Sequence, residues 1–132
     1  MTPLINSALF GILVFFSAII SPTIFRVLDQ THSAVLIRAI FPKVFGVGVA
    51  LSALSGIVTY VDGNSLGVSL SCSSFALFIL NILYFMPAIN ETRDDAMLDP
   101  ILKNKRFKLL HSGSVLAYLI CTLISLALIF LS

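Results

Sequence analysis

The chain has 132 residues, of which 58% are hydrophobic and only 11% charged, with a mean hydropathy of +1.07. A soluble domain carries about a quarter charged residues, so this composition excludes a soluble enzyme and a disordered tail. A net charge of +2 is too small for a nucleic-acid footprint. What remains is an all-α integral membrane protein whose first partner is the lipid bilayer, built as one domain over residues 1–132.

The uncharged runs set the spans. Residues 1–25 hold no charge, and neither do 44–61, 63–90 or 109–132. About 20 apolar residues cross a bilayer core, which predicts helices over about 4–25, 43–61, 66–89 and 109–131. No Lys or Arg precedes Arg26, so a signal peptide's basic start is missing and the first run is expected to be a retained helix. Pro22 frees a carbonyl one turn earlier and favours a kink. Between Thr31 and Phe41, Ala34, Val35, Leu36, Ile37 and Ile40 surround Arg38. That pattern, with Thr31 as N-cap and Pro42 as breaker, predicts a short cytoplasmic interfacial helix followed by a bend before the second span. Asp62-Gly63-Asn64-Ser65 reads as a tight turn. The architecture expected is therefore a membrane four-helix bundle.

Orientation follows from the basic residues. Arg26, Arg38 and Lys43 flank the first connection, and Arg93, Lys103, Lys105, Arg106 and Lys108 the third. The second connection and both termini have none. By the positive-inside rule the basic end faces the cytoplasm and both termini lie outside it, in a bacterial cytoplasmic (inner) membrane.

Small residues recur at every fourth position: Gly48, Ser52 and Gly56 in the second span, and Gly113, Ala117 and Cys121 in the fourth. Such stripes let helices approach closely in lipid, either within the bundle or against a second subunit. Cys72 and Cys121 are too few for a disulfide framework, and Cys121 reads as a member of its stripe. Tyr84 and Tyr118 need hydrogen-bond partners, for which Asn81 and the serines over 69–74 are candidates.

No span carries a charge at its centre, and no hydrolase, kinase or metalloprotease motif is present. Titratable groups gather instead at the cytoplasmic end. Arg26, Arg38, Glu91, Arg93 and His111 form a candidate binding cluster, with Glu91 expected to pair with Arg26 or Arg93. His111 is placed to donate to a carbonyl freed near Pro22. This predicts a non-enzymatic, transporter-like or partner-binding protein, or a polar cap that only ties helix ends together. One alternative is a haem- or porphyrin-binding redox protein, or a metal site, with His111 and His32 as ligands. Another is an accessory subunit of a homo-oligomer or a larger membrane complex.

Four stretches, two in each half of the chain, carry a family resemblance. Ser21-Pro22-Thr23-Ile24-Phe25-Arg26 and Ile40-Phe41-Pro42 with Phe45, then Ile89-Asn90-Glu91-Thr92-Arg93 and Phe107-Lys108-Leu109-Leu110-His111-Ser112-Gly113-Ser114, resemble the small membrane proteins related to transmembrane protein 205, whose bacterial branch is a domain of unknown function. The resemblance implies a four-helix membrane fold. In the vertebrate member, helix sulfur ligands are implicated in platinum handling; Cys72 and Cys121 do not form the corresponding Cys-x-x-x-Cys pair. The topology is also similar to that of bacterial protoporphyrinogen oxidases, which place a His early in a first helix that has none here.

Overall fold

Uncharged runs of Leu, Ile, Phe and Ala meet no water in a bilayer, so they take the form that satisfies backbone groups internally, the helix. The computed structural model describes residues 1–131. It is 92% helical and has no strand among the described residues. Four helices are long and apolar enough to cross a membrane: α1 (Thr2–Val27), α2 (Gln30–Val61), α3 (Ser65–Asp94) and α4 (Pro100–Leu131). They pack in a ring in chain order, so that α1 and α3 are diagonal and α2 and α4 are diagonal.

The seams repeat at alternating steps of three and four. In α1 they are Thr2, Asn6, Leu9, Leu13 and Phe16; in α2, Phe45, Gly48, Ser52, Ser55 and Thr59; in α3, Gly67, Ser71, Ser74, Phe78 and Asn81. This is the heptad spacing of left-handed bundles, written mainly in small and polar residues in α2 and α3 and in larger apolar ones along α1 from Leu9 on. As many polar as hydrophobic side chains are buried, while large apolar ones such as Ile57, Leu83 and Leu119 face outward. Lipid supplies no hydrophobic drive for pulling Leu inward, so close contact and hydrogen bonds select the seam residues.

The stripes face inward. A Cβ on Gly48 would lie 2.6 Å from the Phe78 ring, and one on Gly113 2.7 Å from Phe85. Gly56 lies against Ser71 with ordinary room, while Ser52, Ala117 and Cys121 are buried. Hydrogen bonds cross the same seams. Asn6 Nδ2 donates to Thr2 O at 3.0 Å and to Ser55 Oγ at 2.9 Å, and Ser55 shares a bond with Ser71 at 2.9 Å. Ser114 donates to Asn81 Oδ1. The partner of Tyr118 is not a seam side chain, as expected from the sequence, but the Leu13 carbonyl at 2.6 Å. Tyr84 is exposed and lies edge-on to Phe85.

Both α1 and α3 contain one wide π turn, Phe16–Ile20 and Asn81–Phe85. Each ends two residues before a proline, Pro22 and Pro87. A proline ring collides with the carbonyl four residues back in an α ladder, and widening the preceding turn moves that carbonyl away. In each case the residue just before the proline donates its N–H five residues back, Ser21 to Phe16 and Met86 to Asn81.

The interfacial helix and bend expected over Thr31–Pro42 are not separate elements. α2 runs unbroken through Pro42, and its N-cap is Asp29 rather than Thr31. Packing explains the continuity. Ser33 and Ile37 are buried, and Ser33 Oγ donates to Ile24 O at 3.3 Å and Leu28 O at 3.2 Å. Pro42 removes the bond to the Arg38 carbonyl, one bond in a helix otherwise held on both sides of it. At 1.5 Å per residue, helices of 32 residues such as α2 and α4 run about 48 Å against a hydrocarbon core of about 30 Å. The excess lies at the basic end, since the turn at the other end is short. There Gly63, at φ +72°, and Asn64 close α2 with bonds to Tyr60 O and Thr59 O, a left-handed cap that favours glycine.

Candidate functional site

At the basic end the overhanging helices enclose a cleft of about 700 Å³ to which all four contribute. Phe25 comes from α1, Gln30, Thr31, Ala34 and Ile37 from α2, Arg93 from α3, and Lys103, Asn104 and Phe107 from α4. The cleft exists because α2 and α4 are diagonal, and because the lower part of α1 leaves α4. Thr2–Phe15 packs along α4, but Ser21–Val27 has no Cα within 8 Å of it.

The charges around the mouth are sorted by geometry. Asp94 accepts two bonds from Arg38, at 3.1 and 2.6 Å, which ties α2 to α3. Asp29 accepts from the His32 backbone N–H at 2.8 Å and pairs with His32 Nδ1 at 2.6 Å. Arg93 forms no direct ion pair with a carboxylate among the described residues; its chain neighbour Asp94, bonded to Arg38, reaches Arg93 and Lys103 only through space. The Arg93 guanidinium instead lies 5.0 Å above the centre of the Phe107 ring, a cation–π contact. Phe107 stacks in turn on His111, centroids 5.7 Å apart and planes 5° from parallel. Lys103 Nζ donates to the Asp95 carbonyl at 3.2 Å. No carboxylate side chain lines the cleft.

Of the cluster expected from sequence, then, only Arg93 lines the cleft. Arg38 is beside it, in an ion pair with Asp94. The pairing of Glu91 with Arg26 or Arg93 does not form: Glu91 and Arg26 are exposed, and the carboxylate engaged is one turn on, at Asp94. One turn further along α3 brings the acid over α2, where Arg38 waits. His111 is exposed and stacked on Phe107 rather than bonded near Pro22. His32 lies in the first turn of α2, bonded to the N-cap Asp29, and His111 lies on the diagonal helix, stacked on Phe107. No group of three metal-ligating side chains occurs among the described residues. Phe25, Gln30, Thr31, Lys103, Asn104 and Phe107 line the cleft without belonging to the cluster expected from the sequence. Two of them carry a sequence signal: Phe25 ends the charge-free run 1–25, and Phe107 is the one aromatic residue within the basic stretch 103–108.

The bonds from His32, the backbone one foremost, hold the Asp29 carboxyl below its ordinary value. A depressed carboxyl stabilises the fold above the unfolded-state value, about 3.9, and that stabilisation is lost as pH falls through the folded value. Amide protection at His32 is therefore expected to be constant from neutral pH to about 5 and to fall in stronger acid. In Asp29→Asn, hydrogen exchange should show that acid-dependent fall removed.

A family model described as a domain of unknown function, DUF4149, matches residues 4–97. The chain belongs to the DUF4149 family. As the resemblance implied, the family is one of unknown function; its description does not extend to transmembrane protein 205. The chain is also similar to an uncharacterized protein of Aquifex aeolicus (strain VF5), 29% identical over 80 residues. That stretch covers 61% of this chain and 60% of the relative. No solved structure matches. The DUF4149 match takes in the α1, α2 and α3 walls of the cleft and stops before the α4 wall.

Proposed function

We propose that this DUF4149 chain is a non-enzymatic binding protein of the bacterial inner membrane, and that the cleft at its cytoplasmic end is its working site. The observation that carries this reading is Arg93. The Phe107 ring ties Arg93 to α4 as Asp94 ties Arg38 to α3, but it supplies no counter-charge, so a cation without a direct ion pair is left in a cleft assembled from four helices. A bound ligand or partner would supply the missing negative charge. The Phe25-Arg26 and Phe107-x-x-x-His111-x-x-Ser114 elements support kinship with the transmembrane protein 205 group as part of the same reading.

The test compares two arginines. In cells lacking the chromosomal copy, Arg93→Ala is expected to leave membrane levels unchanged and to abolish rescue of the deletion phenotype. Arg26→Ala, exposed and outside the cleft, should rescue fully. Equal rescue by both variants would reduce the cleft to a structural cap.

A further inference from the structure

The cleft is two-sided in its chemistry, and the two sides meet at a gap in the bundle wall. Arg93 and Lys103 supply positive charge, with Asn104 as a neutral donor, while Phe25, Ile37 and Phe107 supply apolar wall. A small hydrated anion has use for the first set and none for the second. The gap lies between Ser21–Val27 of α1 and the facing part of α4, which approach no closer than 8 Å between Cα atoms. Phe25 and Phe107 stand on its two sides, and Phe25 is 61% exposed. Phe25 is the last residue of the charge-free run 1–25, and Phe107 lies between Arg106 and Lys108, two residues before the charge-free run 109–132, so the gap opens at the boundary between the apolar zone and the basic end.

We infer that the cleft takes an anionic membrane amphiphile, which enters sideways from the bilayer between α1 and α4 and places its charged headgroup on Arg93 and Lys103. The chain of the amphiphile stays among Phe25, Ile37 and Phe107, and its headgroup gives Arg93 the direct ion pair that Asp94, bonded to Arg38, does not. This rests on the reading of the cleft as the working site and names its ligand class. The shared chemistry is a phosphate or carboxylate group, and the lipid and the free ion are separated by experiment.

The chain has no tryptophan, so Phe25→Trp puts a single reporter at the gap. The protein is reconstituted in phosphatidylcholine vesicles containing, at equal mole fraction, either phosphatidic acid or phosphatidylcholine with brominated acyl chains. Brominated phosphatidic acid is expected to quench with about fivefold preference, and that preference should fall towards one when Arg93→Gln is added. Lys103→Gln, on the overhang beyond the apolar run, repeats the test should Arg93→Gln fail to insert. Leu109→Trp in place of Phe25→Trp reports the lipid around the same end of the bundle outside the cleft and should show no such preference. Equal quenching by both lipids at Phe25→Trp, or the same preference at Leu109→Trp, overturns the inference. Inorganic phosphate is the second probe. A shift of Trp emission by phosphate without lipid preference leaves a binding site for soluble anions and removes the lateral ligand. If neither lipid nor phosphate moves the signal, the ligand-binding reading of the cleft falls with it.

Discussion

Gly48→Ala is expected to destabilise the protein by about 1–3 kcal/mol, the usual range for forcing extra volume into a packed core. The added methyl would lie 2.6, 2.7 and 2.8 Å from three atoms of the Phe78 ring. That ring is fully buried and cannot swing aside, because Phe45 packs on it with centroids 6.4 Å apart, and Leu9, Leu13 and Cys121 complete the cluster. The change also separates α2 from α3 at mid-bundle, where contact rather than hydrophobic drive holds helices together. Gly56→Ala on the same stripe is the control. Its Cβ meets only Ser71 at 3.6 Å, and its effect should stay within about 0.5 kcal/mol. Unfolding by dodecyl sulfate from mild-detergent micelles, followed by circular dichroism, measures both. Phe78→Leu combined with Gly48→Ala should recover part of the loss, since the two side chains compete for one space. Equal unfolding midpoints for Gly48→Ala and Gly56→Ala would mean that the approach of α2 to Phe78 is not as close as described.

The spans, their number and the turn at Gly63 are legible in the sequence because each depends on local chemistry: a run without charge, or a residue tolerant of left-handed backbone. The seams are legible too, though in a form easily misread. A fourfold stripe such as Gly48, Ser52 and Gly56 captures one edge of a pattern that in fact alternates three and four, with Phe45, Ser55 and Thr59 as the other members. Adding Thr and Asn to the small residues marks the alternation in α2 and α3, whereas the α1 seam runs on through Leu9, Leu13 and Phe16, which no polarity pattern distinguishes from the lipid-facing residues. Pro42 misleads for the opposite reason. Its local preference for ending a helix is real, but burial of Ser33 and Ile37 before it outweighs that preference, and burial is a property of the assembled bundle. The cleft divides in the same way. That titratable groups collect at one end is plain from the charge-free runs. Which acid meets which base depends on helix rotation, and the step from Glu91 to Asp94 changes the partner completely. Arg93 is legible as a member of the cluster, but its lack of a direct ion pair follows only from the bonding of Asp94 to Arg38.

Deleting Ile19 from the π turn of α1 is expected to cost about 3 kcal/mol or more, the penalty for a proline inside a regular α ladder. A π turn amounts to one extra residue in an α-helix, so removing an exposed one such as Ile19 returns Phe16–Ile20 to α geometry. The ring of Pro22 then meets the carbonyl of Ser17, which stands four residues back after the deletion. Two positions on the flanking seams, Leu13 and Ile24, are buried, so α1 has no freedom to relieve the clash by rotating. Combining the deletion with Pro22→Ala should recover most of the stability, because the collision is with the ring. α3 provides the parallel case: loss of exposed Leu83 sets Pro87 against the Ile82 carbonyl, and Pro87→Ala should rescue that as well. Recovery in both helices would establish the π turns as accommodations to proline. If the α1 double variant regains stability but loses the lipid preference at the gap, the π turn has a second consequence. Contact between α1 and α4 ends where that turn begins, so straightening α1 would carry Ser21–Val27 towards α4 and close the side entrance to the cleft. Stability regained with the preference intact would show instead that the gap is held open from the α2 side, where Ser33 bonds the carbonyls of Ile24 and Leu28.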